Sequence, residues 1–118
     1  MEKIFQAGAH YLRIERYEDA ARIFVFLNLL DPGYSACWLS LGIALKRMKR
    51  WAQSLNALTI AIKMDPHHPL PHFHAAACYK GLGLNKEAHD ELKLAQKEAH
   101  KIHNSELEKA ITYEQHHL

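Results

Sequence analysis

The sequence predicts an all-α fold, a superhelix of three helix-turn-helix units followed by a C-terminal capping helix. Two stretches carry this prediction, YEDAARIFVFLNLLDP at Tyr17–Pro32 and WAQSLNALTIAIKMDP at Trp51–Pro66. Each begins with an aromatic residue, places small and apolar residues at helical spacing, and ends at Asp-Pro. Because the two stretches lie 34 residues apart, the chain repeats one structural unit along its length.

The same register relates many positions outside the two stretches. Small residues recur where the two helices of a unit would cross, because backbones approach closely only over a small side chain. Larger apolar residues recur beside them and would fill the space around each crossing. Equivalent positions are Gly8, Gly42 and Ala76; Ala20, Ser54 and Ala88; and Phe24, Leu58 and Leu92. A helix-turn-helix unit of 34 residues is the tetratricopeptide pattern.

The predicted helices, in order along the chain, cover 2–14, 17–30, 35–48, 51–64, 70–82 and 86–101. The three units of this single domain span about 1–34, 35–68 and 69–102. Pro32 and Pro66 end the second and fourth helices, because proline disfavours helical geometry in the residue before it. Pro69 and Pro71 fall in the first turn of the fifth helix, where the missing N–H costs little.

The seventh predicted helix, at 105–117, is the cap. Ser105 and Glu108 have the spacing of a capping box at its start. Leu107, Ala110 and Ile111 give it one apolar stripe against a charged back. Terminal repeats need such a cover with a polar outer face, so we expect this helix to close the superhelix.

Composition bounds the function. The chain has 118 residues, 48% of them hydrophobic, and a formal net charge of +2, which is far from the basic balance of a nucleic-acid-binding protein. Lys46, Arg47, Lys49 and Arg50 form a local basic cluster, which we interpret as a solvated helix end. No apolar run is long enough to span a membrane, and no secretory signal is visible, so a cytoplasmic location is expected. Both cysteines, Cys37 and Cys78, are expected to be buried, reduced thiols.

Catalytic and metal-binding motifs are missing from the sequence. There is no phosphate-binding loop, nucleophile elbow or pair of carboxylates in a catalytic motif, so we expect no enzyme activity and no cofactor. The densest histidine group is His67, His68, His72 and His74. Because His72 and His74 lie two residues apart on a helix, they point to nearly opposite sides, and no metal site is expected.

Resemblance to the tetratricopeptide family implies a groove lined by the first helix of each unit. The groove residues by this resemblance are Phe5, Ala9, Leu12, Leu39, Ser40, Ile43, Arg47, Leu70, Phe73, His74 and Ala77. Well-known family members grip the C-terminal carboxylate of heat-shock chaperones with a clamp of lysine, asparagine and arginine. The matching places here hold Phe5, Ala9, Ser40, Leu70 and His74, none of which supplies a fixed positive donor. A heat-shock co-chaperone role is therefore rejected, and the apolar groove favours a short apolar peptide.

A more specific resemblance lies in PLPHFHAAACYKGLG, at Pro69–Gly83, and in RYEDAARIFVFLNLLDPGYSACWLSLGIAL, at Arg16–Leu45. Both stretches resemble the translocator chaperones (class II) of bacterial type III secretion systems. That resemblance implies a chaperone of the bacterial cytoplasm with no enzyme activity. It would bind an extended segment near the N-terminus of a secreted translocator protein, keeping this client soluble before export. Neither nucleic acid nor membrane is an expected partner.

Two departures from this family affect the prediction. Members usually carry a helical segment before the first repeat, often used for dimerisation, whereas the repeat here starts almost at Met1. We therefore expect either a trimmed chain or a short relative of the family. The outer side of the first helix pair would then be exposed and sticky, and homodimerisation of the family's kind stays open. The family also often has an acidic residue where Ala77 stands. Two alternatives stay open: an adaptor that docks a folded partner, and a chaperone for the needle subunit or export components.

Overall fold

The computed structural model describes residues 1–118, and its regular structure consists of seven α-helices with no strand. The predicted all-α fold is confirmed. The helices are α1 (Glu2–Arg13), α2 (Tyr17–Leu30), α3 (Ser35–Arg47), α4 (Trp51–Met64), α5 (Pro69–Gly81), α6 (Asn85–Lys101) and α7 (Ser105–His116). Successive helices pack against each other, and α3 also contacts α1 and α5 directly. None of the seven combines the length and hydropathy that a membrane span requires.

The predicted helix bounds are correct for α2 and α4 and differ by one residue elsewhere. A turn that recurs every 34 residues explains why α1 and α3 end one residue earlier than expected. Glu15, Lys49 and Gly83 all adopt a left-handed backbone, with φ of 63°, 59° and 78°. Only Gly83 is free of the steric cost that a side chain adds there. In each turn the next backbone N–H donates to a carbonyl five residues back: Arg16 to Tyr11, Arg50 to Leu45, and Leu84 to Tyr79.

The two helices of a repeat unit cross closely at positions where the sequence has glycine. A Cβ added at Gly8 would lie 2.7 Å from the Phe24 ring, and one at Gly42 would lie 2.5 Å from Leu58 Cδ2. Phe24 and Leu58 are fully buried, so neither can move aside. These distances confirm that the small residues permit the approach of α1 to α2 and of α3 to α4.

Both cysteines are free and fully buried, as predicted. The Cys78 thiol donates to Ser54 Oγ at 3.2 Å, and the Ser54 hydroxyl donates to the carbonyl of Gly42 at 2.6 Å. This chain of hydrogen bonds joins α5, α4 and α3 inside the protein. Burial raises the pKa of both thiols, which keeps them protonated near neutral pH.

Helix α7 covers the end of α6 through Ile111, which is fully buried against Ala95 and Ala99. The capping box predicted at Ser105 and Glu108 is wrong. Asn104 is the cap residue, and its side-chain oxygen accepts a hydrogen bond from the N–H of Leu107 at 3.1 Å. Ser105 is already the first helical residue, so its hydroxyl is one position too late, and Glu108 contacts His100 instead.

A buried histidine links α5 to α6 and to the turn between α4 and α5. His72, on α5, lies 2.7 Å through Nδ1 from the Glu91 carboxylate of α6, and 3.3 Å through Nε2 from the carbonyl of Pro66, just after α4. Its side chain is 8% exposed and that of Glu91 is 20% exposed. The hydrogen bond with Glu91 raises the pKa of His72 against the opposing effect of burial. This hydrogen bond therefore favours the protonated form of His72 in the folded protein.

Candidate functional site

The predicted groove residues all lie on the first helices α1, α3 and α5, which are neighbours in the fold. Ten of the eleven are half-buried, and Arg47 is exposed. A residue that lines an open surface keeps part of its side chain accessible while its base packs on the protein. The half-burial is therefore compatible with the predicted groove, whose role in binding stays a prediction.

Phe5 and Leu39 are anchored from behind by the core. The Phe5 ring lies 5.5 Å from the Phe24 ring in an edge-to-face arrangement and 5.9 Å from the Tyr34 ring. Leu39 packs against the buried cluster that includes Leu58. It also lines a small cavity of about 80 Å³ between α3, α4 and α5. These two side chains thus contribute to the core, which is the alternative to a groove role for an apolar residue at helical spacing.

The last part of the predicted groove contains a cavity of about 240 Å³ beside α7. Phe73 and Ala77 line it, as do residues that the sequence did not single out for the groove. Those additional lining residues are Lys46, Ala76, Lys80, Leu92, Glu114 and Leu118. Apolar side chains therefore form most of the wall, and the charged groups of three helices reach it. Because Glu114 and Leu118 belong to the C-terminal segment, the cap also forms part of this cavity.

Lys46 and His74 form a hydrogen-bonded pair at this cavity, with Nζ of Lys46 lying 2.9 Å from Nδ1 of His74. Burial, reinforced by the charge of Lys46, lowers the pKa of His74 to about 3, so the imidazole is neutral and accepts the bond. Burial also lowers the pKa of Lys46, as does the neighbouring charge of Arg47. The interpretation of Lys46 as part of a solvated helix end is wrong, because its side chain turns inward over α5.

A second cavity, of about 330 Å³, lies between α1, the start of α2 and α3. Three predicted groove residues, Leu12, Ile43 and Arg47, line it together with Arg13, Glu15 and Tyr17. Its rim is more polar than that of the cavity beside α7. The remaining predicted residues, Ala9, Ser40 and Leu70, are half-buried but line no cavity.

Histidines do not converge on a common site. His72 contacts Glu91 and a backbone carbonyl, whereas His74 contacts Lys46. His67 lies 3.3 Å from Glu98, and the N–H of Leu70 donates to His68. No group of three histidine, cysteine or carboxylate side chains is arranged to hold a metal ion.

An exposed apolar patch lies on α2. Val25, Phe26, Leu29 and Leu30 are 46%, 49%, 78% and 55% exposed. Beneath them, the side-chain amide of Asn28 is buried and has no hydrogen-bond partner. We call these four exposed residues the α2 patch.

The sequence and the fold were compared with those of known proteins. No family model matches the sequence. Low calcium response locus protein H of Yersinia pestis is 30% identical over 96 residues, which cover 81% of this chain. The chain spans 57% of the length of that curated relative.

Solved structures match more completely. The type III secretion translocator chaperone SycD of Yersinia enterocolitica superposes with a TM-score of 0.93 at 27% identity, over 99% of this chain and 88% of SycD. SycD in complex with a peptide of the translocator YopD gives a TM-score of 0.81 at 26% identity, over 97% and 93% of the two chains. The protein therefore resembles the translocator chaperones of type III secretion in its sequence and, over nearly its whole length, in its fold.

Proposed function

We propose that the protein is a type III secretion chaperone that binds an extended apolar segment of a translocator in the groove of α1, α3 and α5. The observation that carries this proposal is the match to SycD bound to a YopD peptide, over nearly the whole of both chains. In this reading the protein acts in the bacterial cytoplasm, keeps its client soluble before export, and performs no catalysis.

The geometry supports a binding role for this face. The half-buried groove residues leave apolar surface accessible, and two cavities open along it. Burying three client side chains there would contribute roughly 1.5–3 kcal/mol each. Ordering the client segment costs roughly 2–5 kcal/mol. The difference corresponds to a weak to micromolar affinity for a short peptide.

Fluorescence anisotropy of a labelled peptide, the YopD segment bound by SycD, tests the proposal. Saturable binding by the wild-type protein is expected. Phe73→Glu should abolish it, because a carboxylate would replace the apolar wall of the cavity beside α7. Ala77→Arg fills the same cavity from a residue outside the core and should also abolish binding. Leu94→Glu, at a 44% exposed position on α6, is the matched control and should bind like the wild type.

The α2 patch favours a second candidate, an adaptor that docks a partner outside the groove. Its four exposed apolar side chains form a surface of the kind that marks protein interaction sites. Leu29→Glu separates the two candidates. Loss of peptide binding in Leu29→Glu, with binding retained in Phe73→Glu and Ala77→Arg, would overturn the groove proposal and support docking on α2. Circular dichroism of every variant shows whether it is folded.

A further inference from the structure

The cavity beside α7 contains a positive charge that the protein does not neutralise. Lys46 and Lys80 contribute two ammonium groups to its wall, and Glu114 contributes one carboxylate. Glu114 lies 3.9 Å from Lys80, whereas no carboxylate oxygen of the protein lies within 4.0 Å of Lys46 Nζ. Since His74 is neutral, the cavity has a net charge of about one positive.

Lys46 is held in a position that leaves its donors available. One N–H of the ammonium group donates to Nδ1 of His74, and no other hydrogen bond is formed by this group. The side chain is half-buried and borders apolar residues, including Phe73 and Leu92. Partial burial of an ammonium group with unused donors costs free energy, because fewer water molecules accept its hydrogen bonds. A carboxylate that reached the group would accept those hydrogen bonds instead.

We propose that Lys46 binds a carboxylate of the client, from an aspartate or glutamate next to the apolar side chain that enters this cavity. The inference rests on the proposed function and adds the chemistry of one client position. The apolar side chain would pack on Phe73 and Leu92, while the neighbouring carboxylate would accept hydrogen bonds from Lys46. A basic residue at the same client position would add a third ammonium group and is selected against.

Paired peptides test this proposal. The YopD peptide is synthesised as a series in which each position in turn is glutamate or its neutral isostere glutamine. At one position, the peptide with glutamate should bind the wild-type protein about tenfold more tightly than the peptide with glutamine. A tenfold difference in affinity is about the contribution expected of a single charge-assisted hydrogen bond at a half-buried site. In Lys46→Met this preference should disappear, so that the glutamate and glutamine peptides bind equally.

Two further variants make the result specific. Lys63→Met removes an exposed lysine on α4 and should retain the tenfold preference. Lys46→Gln can still donate to His74 without a charge, so it should lose the preference even if Lys46→Met fails to fold. Equal binding of the two peptides at every position would overturn the proposal, as would a preference that persists in the folded Lys46 variants. Neither result would contradict the proposed binding of the client in the groove. Absence of binding by every peptide would instead overturn the proposed function, and this inference with it.

Discussion

Removing the imidazole of His72 should make the stability of the protein less dependent on pH. In the folded state a protonated His72 can donate from both ring nitrogens, to Glu91 at 2.7 Å and to the carbonyl of Pro66 at 3.3 Å. A neutral imidazole has one N–H and can serve only one of these acceptors. Because the pKa of His72 is raised in the folded protein, its contribution is full below the unfolded pKa of about 6.5. That contribution is lost as the pH rises through the folded pKa.

The geometry sets the magnitude. Both side chains of the ion pair are largely buried, at 8% and 20% exposure, so solvent screens their interaction little. A hydrogen bond to a charged group contributes roughly 1.5–3 kcal/mol. His72→Gln should therefore lower the free energy of unfolding by about 2 kcal/mol at pH 5.5 and by about half as much at pH 8. Glutamine is chosen because its amide nitrogen can still donate hydrogen bonds and its side chain does not titrate.

Urea denaturation followed by circular dichroism, between pH 5.5 and 8, measures this difference. His74 has an effect of opposite sign, because its lowered pKa makes folding less favourable as the pH falls below about 6.5. His74 is present in both proteins, so the difference between wild type and His72→Gln isolates His72. His89→Gln, at an exposed position on α6, is the control and should lie close to the wild type at every pH. A stability difference that stays constant, or grows, from pH 5.5 to 8 would refute the reasoning.

Three further predictions concern stability and use the same denaturation assay. Asn104→Ala should cost about 1 kcal/mol and Ser105→Ala almost nothing, because Asn104 caps α7; equal costs would contradict that assignment. Gly42→Ala should destabilise by about 1–2 kcal/mol, since overpacking against Leu58 exceeds the gain in helix propensity, and a neutral result would show that the crossing can widen. Asn28→Leu should stabilise the protein by about 1–2 kcal/mol by removing a buried amide without a partner, whereas destabilisation would mean that the amide is satisfied in solution.

The fold could be predicted from the sequence because each repeat unit encodes its structure locally. Gly8 and Gly42 mark crossings that the structure confirms, and Asp-Pro ends two helices at the predicted residues. The cap of α7 was misplaced by one residue, because a serine and an asparagine stand side by side and both residue types are good caps. Only the backbone shows which of the two lies outside the helix.

The site could be predicted only in part. A shared register identifies which residues lie on the first helices, but it does not show which side chains meet across units. Lys46 and His74 are 28 residues apart, and their contact depends on how α3 and α5 are inclined. Lys46 stands in a run of basic residues, which is typical of an exposed helix end, so the sequence did not indicate that its side chain is half-buried. For the same reason, the contribution of α7 to the cavity through Glu114 was not visible in the sequence.

The central claim is that an extended client segment occupies the groove of α1, α3 and α5. Paramagnetic relaxation enhancement tests it most directly, with a spin label on the YopD peptide and amide signals recorded from the isotope-labelled protein. Selective broadening of signals around Ile43 and Ala77, with those of the α2 patch unaffected, is the predicted result. Broadening confined to Val25, Phe26 and their neighbours on α2 would contradict the account and place the peptide outside the groove.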